Sequence, residues 1–286
     1  MRLYMVNRAR NKIIRDKATN RIRRGELSRD FETRFSAHAD HDLILLLTGV
    51  KAQERTAAAV ILGQRRCPQA IASLCEQLGK EKALYTRIAI SEALGMIGQP
   101  AIPYLIELLG KIGANQYRKL PQQGFYKKNY PLPRDLASRT LIKIGVPALQ
   151  ELQKASPQLE RESLLEAIDA MGYIAFYHND WSPEAVLLEL YRKYDEDPLI
   201  IWKLLRAFQA FSSLEIRGLL EAVVLESSVP ALRWEAIRSL GQIGQAVSPA
   251  VMEKALKDPH AEVRKMARLF LNDTFSRAEK GWMKSN

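Results

Sequence analysis

Aromatic and cationic side chains alternate in one proline-containing stretch of the chain. The stretch is residues 114–133, ANQYRKLPQQGFYKKNYPLP, and it contains no acidic residue. Its chemically informative side chains are Tyr117, Arg118, Lys119, Phe125, Tyr126, Lys127, Lys128 and Tyr130. Cations neutralise phosphates and rings stack on bases, so the composition is typical of a single-strand nucleic-acid contact. Tyrosine and arginine also dominate the energetic centres of protein interfaces. The stretch therefore predicts a nucleic-acid or an acidic protein partner, unless its rings fold back onto the protein.

The positive charge of the chain is concentrated in two segments. Residues 1–34 hold 11 Lys/Arg against four Asp/Glu, and residues 114–133 hold four Lys/Arg and no acid. These two excesses account for the whole formal net charge of +11. Because charge of one sign steers oppositely charged partners, both segments are predicted to meet an acidic surface. The predicted partner-binding residues are Arg118, Lys119, Tyr126, Lys127, Lys128 and Tyr130, with Arg21, Arg23 and Arg24 as an N-terminal group.

A second candidate for chemistry is the short stretch His178-Asn179-Asp180-Trp181, which combines a base, a carboxylate and an aromatic ring. The same residues precede Ser182-Pro183, a dipeptide that favours the start of a helix. Asp180 or Ser182 would then cap that helix, with Trp181 packed beneath it. We favour the capping interpretation over a catalytic one.

Catalytic, metal and cofactor signatures are weak in the sequence. The remaining histidines, His38, His41 and His260, have no cysteine or carboxylate grouping at metal-ligand spacing. Cys67 and Cys75 are predicted to be small buried apolar groups in a reducing compartment. No phosphate-binding glycine loop or nucleophile elbow is present in the sequence. The sequence therefore predicts no catalytic residue, no cofactor and no metal.

Membrane insertion is also not predicted. The N-terminus lacks the apolar core of a secretory signal, and the longest apolar run, Leu43–Leu47, is far shorter than the roughly 20 residues that span a bilayer. A soluble, cytoplasmic protein is expected.

The elements that must position these side chains are helical repeats. The pattern R-x-x-A-x-x-x-L-G recurs along the chain. Its copies are RTAAAVILG (55–63), RIAISEALG (87–95), RDLASRTLI (134–142), LLEAIDAMG (164–172), the degenerate IWKLLRAFQ (201–209), RWEAIRSLG (233–241) and RKMARLFLN (264–272). Their spacing is 30–37 residues, except for 47 residues across the 114–133 stretch. Two helices per period of this length predict stacked helical repeats.

Each recurring residue type in the pattern has a packing role within the unit. A small central residue lets neighbouring helices approach closely, and a glycine three residues after the Leu-Gly pair fits a helix C-terminus. Proline then starts the next helix, as at Pro100 or Pro103 and Pro147. One unit cannot bury its own apolar face, so stacking creates the core.

The arginine of the pattern recurs in one register. Its copies are Arg55, Arg87, Arg134, Arg233 and Arg264. The structural interpretation is that each guanidinium binds carbonyls or a carboxylate at a helix end. A preceding acid is clear only for Asp258 before Arg264. The alternative is a positive stripe for phosphates or acidic side chains.

The repeats resemble HEAT repeats, in particular the phycobilin-lyase-like subtype. The best matches are TRIAISEALGMIGQPAIPYLIELL (86–109) and LRWEAIRSLGQIGQAVSPAVMEKALKD (232–258), within a similarity that covers about residues 40–272. The resemblance implies an all-α, right-handed α-solenoid of HEAT/armadillo-like helical repeats. It concerns the scaffold, so it carries over neither chromophore chemistry nor the catalytic pattern of the HEAT-like alkylpurine DNA glycosylases.

The predicted organisation follows from these patterns. Residues 1–39 form a basic N-terminal cap or arm, 40–273 form the repeat array with the insertion at 114–133, and 274–286 form a flexible tail. The predicted function is a non-enzymatic scaffold that binds an acidic protein. The alternatives are a nucleic-acid-binding solenoid and, third, a HEAT-fold enzyme.

Overall fold

The structure, a computed structural model, consists of helices, and most successive helices are joined by short turns. It describes residues 18–28, 31, 33–113, 115–122, 130–245 and 247–282, with the backbone alone from 272 to 282. Within these ranges no strand is present, which confirms the all-α class; the right-handed sense stays a prediction. The chain divides into two compact units, Met1–Ile112 (unit 1) and Gly113–Asn286 (unit 2), so the division falls where the predicted insertion begins.

Unit 1 contains two layers of helices. Its helices are α1 (Asp40–Leu46), α2 (Ala52–Gln64), α3 (Ile71–Lys80), α4 (Leu84–Ile97) and α5 (Ile102–Glu107), with 3-10 turns at Pro68–Ala70 and Gln99–Ala101. The second helices of successive hairpins, α2 and α4, pack side by side, and the first helices α3 and α5 contact each other. The two layers bury the apolar faces against one another, as the repeat pattern predicts.

Small residues bring α2 and α4 together. Ala57, Ala58 and Ala59 in the middle of α2 are fully buried. A Cβ on Gly63 would lie 2.6 Å from the Cα of Ala93 on α4, so the two backbones meet where a side chain is missing. This close approach is the role predicted for the small residues of the pattern.

The N-terminal segment packs against unit 1 at the start of α2 and α4. The N–H of Tyr85 donates to the carbonyl of Arg24 at 3.0 Å, and the Gln53 amide donates to the carbonyl of Glu26 at 2.7 Å. Gly25, with a φ of +88°, turns the chain here against Thr56 and Thr86, where a Cβ would clash. These contacts lie where a terminal cap would lie.

Unit 2 repeats the two-layer arrangement over more hairpins. Its helices are α6 (Leu136–Ile144), α7 (Val146–Ala155), α8 (Arg161–His178), α9 (Glu184–Lys193), α10 (Pro198–Ala207), α11 (Leu214–Glu226), α12 (Pro230–Ile243), α13 (Pro249–Leu256) and α14 (Ala261–Trp282), with 3-10 turns at Ser156–Gln158 and Phe208–Ala210. The second helices α6, α8, α10, α12 and α14 contact one another in chain order. The degenerate copy of the pattern lies on α10, where it serves as a second helix like the others.

Glycine forms an equivalent corner in both units. Gly98 after α4 has φ 81° and ψ −134°, and Gly145 after α6 has φ 81° and ψ −140°. Each donates its N–H to the carbonyl of the leucine four residues earlier, Leu94 or Leu141, at 3.0 Å. A positive φ is readily reached only by glycine, which explains the glycine stop in the pattern.

The start of α6 differs from the prediction for the third repeat. The register of the pattern puts Arg134 inside the helix, but α6 begins only at Leu136. Asp135 explains the later start, because its carboxylate accepts the N–H of Ser138 at 2.8 Å and so caps the helix. Arg139, at the fourth position of α6, instead donates through Nε to the carbonyl of Pro133 at 2.5 Å.

The predicted boundary between the array and the C-terminal tail does not coincide with the end of a helix. The sequence predicts that the array ends at residue 273 and that a flexible tail follows. The backbone of α14 stays helical from Ala261 through Trp282.

Candidate protein-binding surface

Tyr117 anchors the first part of the insertion to unit 2. Its ring packs edge-on against Trp202 of α10, with the centroids 5.2 Å apart and the planes at 79°. The Arg134 guanidinium lies over the Tyr117 ring at 4.1 Å and donates to the Tyr117 hydroxyl at 3.0 Å. Arg134 also donates to the carbonyl of Asn115 at 3.2 Å. The ring is thus held between two neighbours, and this arginine fastens the insertion instead of a helix end.

A second set of contacts ties the two ends of the insertion together. The Gln116 amide donates to one carboxylate oxygen of Asp135 at 3.1 Å. The other oxygen accepts the N–H of Ser138 at 2.8 Å and so caps α6. Residues 115–117 therefore lie beside the start of α6, although the intervening loop is long.

The prediction that Tyr130 contacts a partner is wrong, because this ring is only 4% exposed. It packs against Tyr173 and Phe176 of α8, at centroid distances of 5.5 and 5.8 Å. Its hydroxyl occupies the space that a side chain on Gly172 would fill. Burial raises the pKa of Tyr130 well above its usual value. The ring belongs to the core of unit 2, as expected of an aromatic side chain that can fold back onto the repeat.

Arg118 and Lys119 are exposed immediately after the Tyr117 anchor. Within the described ranges neither forms an ion pair. Together with Leu120 they form one wall of an open cleft of about 580 Å³. The start of α8, the turn between α9 and α10 (residues 193–197) and the first residues of α10 form the rest of the cleft.

Three charges of this cleft are engaged by the fold. Arg161 binds Asp197 through two hydrogen bonds, at 2.5 and 3.1 Å. Asp197 also caps α10, accepting the N–H groups of Leu199 and Ile200 at 3.0 and 3.2 Å. Burial opposes the charge on Asp197, but these bonds, that of Arg161 first, outweigh it and lower the carboxyl pKa. The Lys193 ammonium donates to the backbone carbonyl of Pro157 at 3.3 Å.

The remaining charges of the cleft come from two separate segments of the chain. Arg118 and Lys119 belong to the insertion, whereas Asp195 and Glu196 belong to the turn between α9 and α10. Both acids are exposed, and neither forms an ion pair with another described residue. The cleft therefore has a basic wall and an acidic wall.

The N-terminal arginines lie in unit 1 and are exposed. Arg21 forms an ion pair with Glu26, and hydrogen bonding to Tyr85 raises its pKa further. Arg23 and Arg24 have no ion-pair partner within the described part of unit 1. The other predicted contact residues, Tyr126, Lys127 and Lys128, lie outside the described residues.

The repeated arginine serves the fold in both units. Arg55 binds Glu81 through two hydrogen bonds at 2.7 and 2.9 Å and donates to the carbonyls of Gly49 and Val50. Arg233 binds Asp258 in the same way, at 2.6 and 2.8 Å, and donates to the carbonyl of Ser227. The acid follows its arginine by 25 or 26 residues, at the end of the next helix. These contacts support the structural interpretation of the pattern.

The assignment of Asp258 to Arg264 is wrong. Arg264 donates to the backbone carbonyls of Asp258 and Pro259, at 2.6 and 2.9 Å, while the carboxylate of Asp258 faces Arg233. The sequence interpretation pairs each arginine with the acid just before it. For Arg55 and Arg233, the partner is instead the acid at the end of the following helix.

The stretch around Trp181 also differs from its prediction. Trp181 is 61% exposed, so it does not pack beneath the next helix. Asp180 accepts the N–H of Ser182 at 2.9 Å and forms a turn ahead of α9. The residue that precedes α9 is Pro183, and no described side chain caps this helix. Asp180 forms a local turn, but neither Asp180 nor Ser182 caps α9 as the sequence predicts.

A row of buried charges connects three second helices of unit 2, and the sequence reasoning missed it. The row consists of Glu166 and Asp169 on α8, Lys203 and Arg206 on α10, and Glu235 and Arg238 on α12. The Lys203 ammonium lies 2.9 Å from Glu166 and 2.8 Å from Asp169. Arg206 approaches Asp169 at 3.7 Å and Glu235 at 3.4 Å. On each helix the two charged residues are three positions apart, at the sixth and ninth positions of that helix. This repeated spacing is the sequence signal that could have revealed the row.

Burial governs the ionisation of this row. It raises the pKa of Glu166 to about 7; Lys203 opposes the shift and the charge of Asp169 adds to it. Two carboxylates thus share one ammonium away from water. Since all six side chains are buried, the row connects helices and offers no open site.

Metal and membrane sites can be judged over the same ranges. The described residues contain no group of three or more His, Cys, Asp or Glu that could hold a metal ion. None of the described helices combines the length and apolarity that a bilayer crossing needs.

Stacked helix pairs joined by glycine–proline corners define an α-helical repeat protein. A family model described as HEAT repeats matches residues 42–118 and 184–272, more than half of the chain. The chain therefore belongs to the HEAT-repeat family. No curated protein matches it. The phycobilin-lyase-like subtype remains a prediction from the sequence.

Proposed function

We propose that this protein is a non-enzymatic scaffold that binds an acidic protein partner, with Arg118 and Lys119 at the contact. HEAT repeats generally serve as protein-interaction scaffolds. The observation that carries the proposal is the pair of exposed cations, without an ion-pair partner among the described residues, that follows the anchored Tyr117. Because Tyr117 is held by Trp202 and Arg134, the two cations are presented from a fixed starting point. Such preorganisation reduces the entropy lost on binding.

The surroundings of Arg118 and Lys119 favour a protein over a nucleic acid. Tyr117 and Tyr130 are engaged in packing within unit 2, so these two rings are not free to stack on bases. Asp195 and Glu196 line the same cleft and would repel a phosphate backbone. An acidic protein can place its carboxylates on one wall only, which a regularly spaced backbone of phosphates does not do.

The proposed surface extends beyond the cleft. Tyr126, Lys127 and Lys128 belong to it on the basis of their sequence, since they follow Arg118 and Lys119 in the same insertion. The exposed Arg23 and Arg24, with Arg21, form a separate basic group that would raise the rate of association with an acidic partner. We also propose a cytoplasmic location, because Cys67 and Cys75 are buried free thiols.

Affinity capture with charge-reversed variants tests the proposal. The tagged wild type, Arg118→Glu/Lys119→Glu and a control, Lys82→Glu/Lys254→Glu, are compared for the proteins that they retain from a lysate of the source cells. The control reverses two exposed lysines outside the cleft, so its net charge equals that of the first variant. Acidic proteins retained by the wild type and the control should be lost from R118E/K119E.

Identical capture by all three proteins would contradict the proposal. A salt titration with single- and double-stranded oligonucleotides examines the nucleic-acid alternative separately. Phosphate contacts give a linear fall of log affinity with log salt, and R118E/K119E would reduce its slope. If R118E/K119E reduces this slope but still retains the protein partners, the partner of this surface is a nucleic acid instead of an acidic protein.

A further inference from the structure

The two walls of the cleft described above carry opposite and unassigned charges. Arg118 and Lys119 are on the wall formed by the insertion, and Asp195 and Glu196 are on the wall formed by the turn before α10. The other charged pair of the cleft, Arg161 and Asp197, is already neutralised by its two hydrogen bonds. The charges that remain are therefore two cations on the insertion, two anions on the turn, and Lys193 at the end of α9, which bonds only to the carbonyl of Pro157.

Apolar side chains also line the cleft between these charged groups. Leu120 and Tyr194 are half-buried there, and Pro198 and Leu199 open α10 at the same place. Clefts that are apolar with a few charged groups at defined positions are typical of specific ligand sites. A volume of about 580 Å³ lies within the range of specific ligand sites and accommodates a few side chains.

We infer that the cleft binds an extended peptide segment of the partner in which an acidic side chain and a basic side chain flank an apolar one, in a single direction. The inference rests on the proposed function and deepens it. The acidic side chain meets Arg118 and Lys119, the apolar side chain lies against Leu120 and Pro198, and the basic side chain meets Asp195 and Glu196. The reversed direction would bring like charges together on both walls, which disfavours it.

Selection from a random peptide display library tests the inference and does not require the partner to be identified first. The immobilised proteins are the wild type, R118E/K119E, D195K/E196K and the four-site variant that exchanges the charges of the walls. All four side chains are exposed, so the variants should fold, and their circular dichroism should match that of the wild type. The K82E/K254E variant serves as the control for the net charge of R118E/K119E.

The wild type and the control should enrich peptides with an acidic, an apolar and a basic residue in one order. Each single-wall variant should bind those peptides about tenfold more weakly, or about 1.4 kcal/mol, in fluorescence anisotropy. The exchanged variant should enrich the opposite order of charges. Inverted selection is an outcome that nonspecific binding would not produce.

Two other results would overturn the inference, and they separate it from the proposed function. If D195K/E196K leaves the selected peptides and their affinities unchanged while R118E/K119E abolishes binding, the acidic partner stands and the two-wall cleft fails. If the wild type enriches no peptide, or if enrichment survives both single-wall variants, the cleft is not a peptide site. The affinity capture described above then decides the proposed function independently.

Discussion

The second helices of the two units are built on one repeat pattern but pack through different chemistry. In unit 1, α2 and α4 meet through alanines and Gly63, with one buried pair of hydroxyls between Thr56 and Thr86 at 2.8 Å. In unit 2, α8, α10 and α12 are joined by a row of six buried charged side chains. The shared pattern sets the spacing and the corners of the helices. It does not set which groups fill the sixth and ninth positions.

The difference has an energetic meaning. Close packing of small residues loses little side-chain entropy and desolvates few polar groups. Buried ion pairs must recover a large desolvation cost, so they contribute little net stability but are costly to leave half-paired. Unit 1 is therefore expected to be sensitive to added volume, and unit 2 to lost charge. Substitutions in each unit can separate these two sensitivities.

The largest effect is expected from Lys203→Met in unit 2. The substitution removes the ammonium that contacts both Glu166 and Asp169 and leaves two buried carboxylates, which should cost about 3–5 kcal/mol of unfolding free energy. Urea denaturation measures the loss. The control is Lys254→Met on the exposed face of α13, which should change stability by less than about 0.5 kcal/mol. A loss below about 1 kcal/mol for K203M would show that the row is not a paired network.

The pH dependence of stability should have opposite signs at two buried glutamates. The pKa of Glu166 is raised to about 7, so the native state binds more protons than the unfolded chain between about pH 4.5 and 7. The contribution of Glu166 to the unfolding free energy is fully present below pH 4.5. It is lost as the pH rises to 7, by up to about 3 kcal/mol. Around Glu81, burial is outweighed by hydrogen bonds from Arg55, the Ala83 N–H and Gln77, and its pKa falls to about 2. The contribution of Glu81 is present above pH 4.5 and is lost as the pH falls to 2.

Unfolding free energies measured by urea denaturation over this pH range check both signs. Glu166→Gln should remove the decline between pH 4.5 and 7 and leave the acid limb unchanged. Glu81→Gln should flatten the acid limb and leave the decline. If E166Q retains the full decline, Glu166 does not carry it and this prediction is wrong.

The smallest effect is expected from Gly63→Ala in unit 1. The added Cβ would lie 2.6 Å from the Cα of Ala93, so α2 and α4 must move apart, at a cost of about 1–3 kcal/mol. Gly79→Ala on α3 is the matched control, because nothing lies within 4 Å of its added Cβ. The unfolding free energy of the Gly79→Ala variant should rise by up to about 1 kcal/mol, because alanine reduces the conformational freedom of the unfolded chain. Equal responses at both glycines would contradict the close approach of α2 and α4.

The periodicity of the sequence was sufficient to predict the helical repeats, because spacing, small residues and glycine stops act locally and recur. Even the degenerate copy was located, on α10. Arg134 shows where the register failed: Asp135 caps α6, so the helix begins after Arg134, and the neighbouring residue overrode the pattern. The division at Ile112 was not foreseen, because it depends on contacts between distant residues.

The candidate site was only partly predictable. Composition singled out Arg118 and Lys119, which the structure places on a cleft wall, but it could not show that Tyr130 is buried against α8. An aromatic residue in a basic loop has the same sequence signature whether its ring faces water or the core. Asp195 and Glu196 carried no local signal at all, because only the fold brings them to the cleft that the insertion also lines. Proximity of this kind is a property of the fold.

The glycine corners after α4 and α6 have a practical consequence. Both join a second helix to the next first helix with nearly the same backbone angles, the same hydrogen bond to a leucine and a proline shortly afterwards. Two junctions of equal geometry are interchangeable ends for recombination. We expect that a helix pair excised at one corner can be joined at the other without a new linker, so Gly98 and Gly145 are the splice points to test for lengthening or shortening this protein by whole repeats.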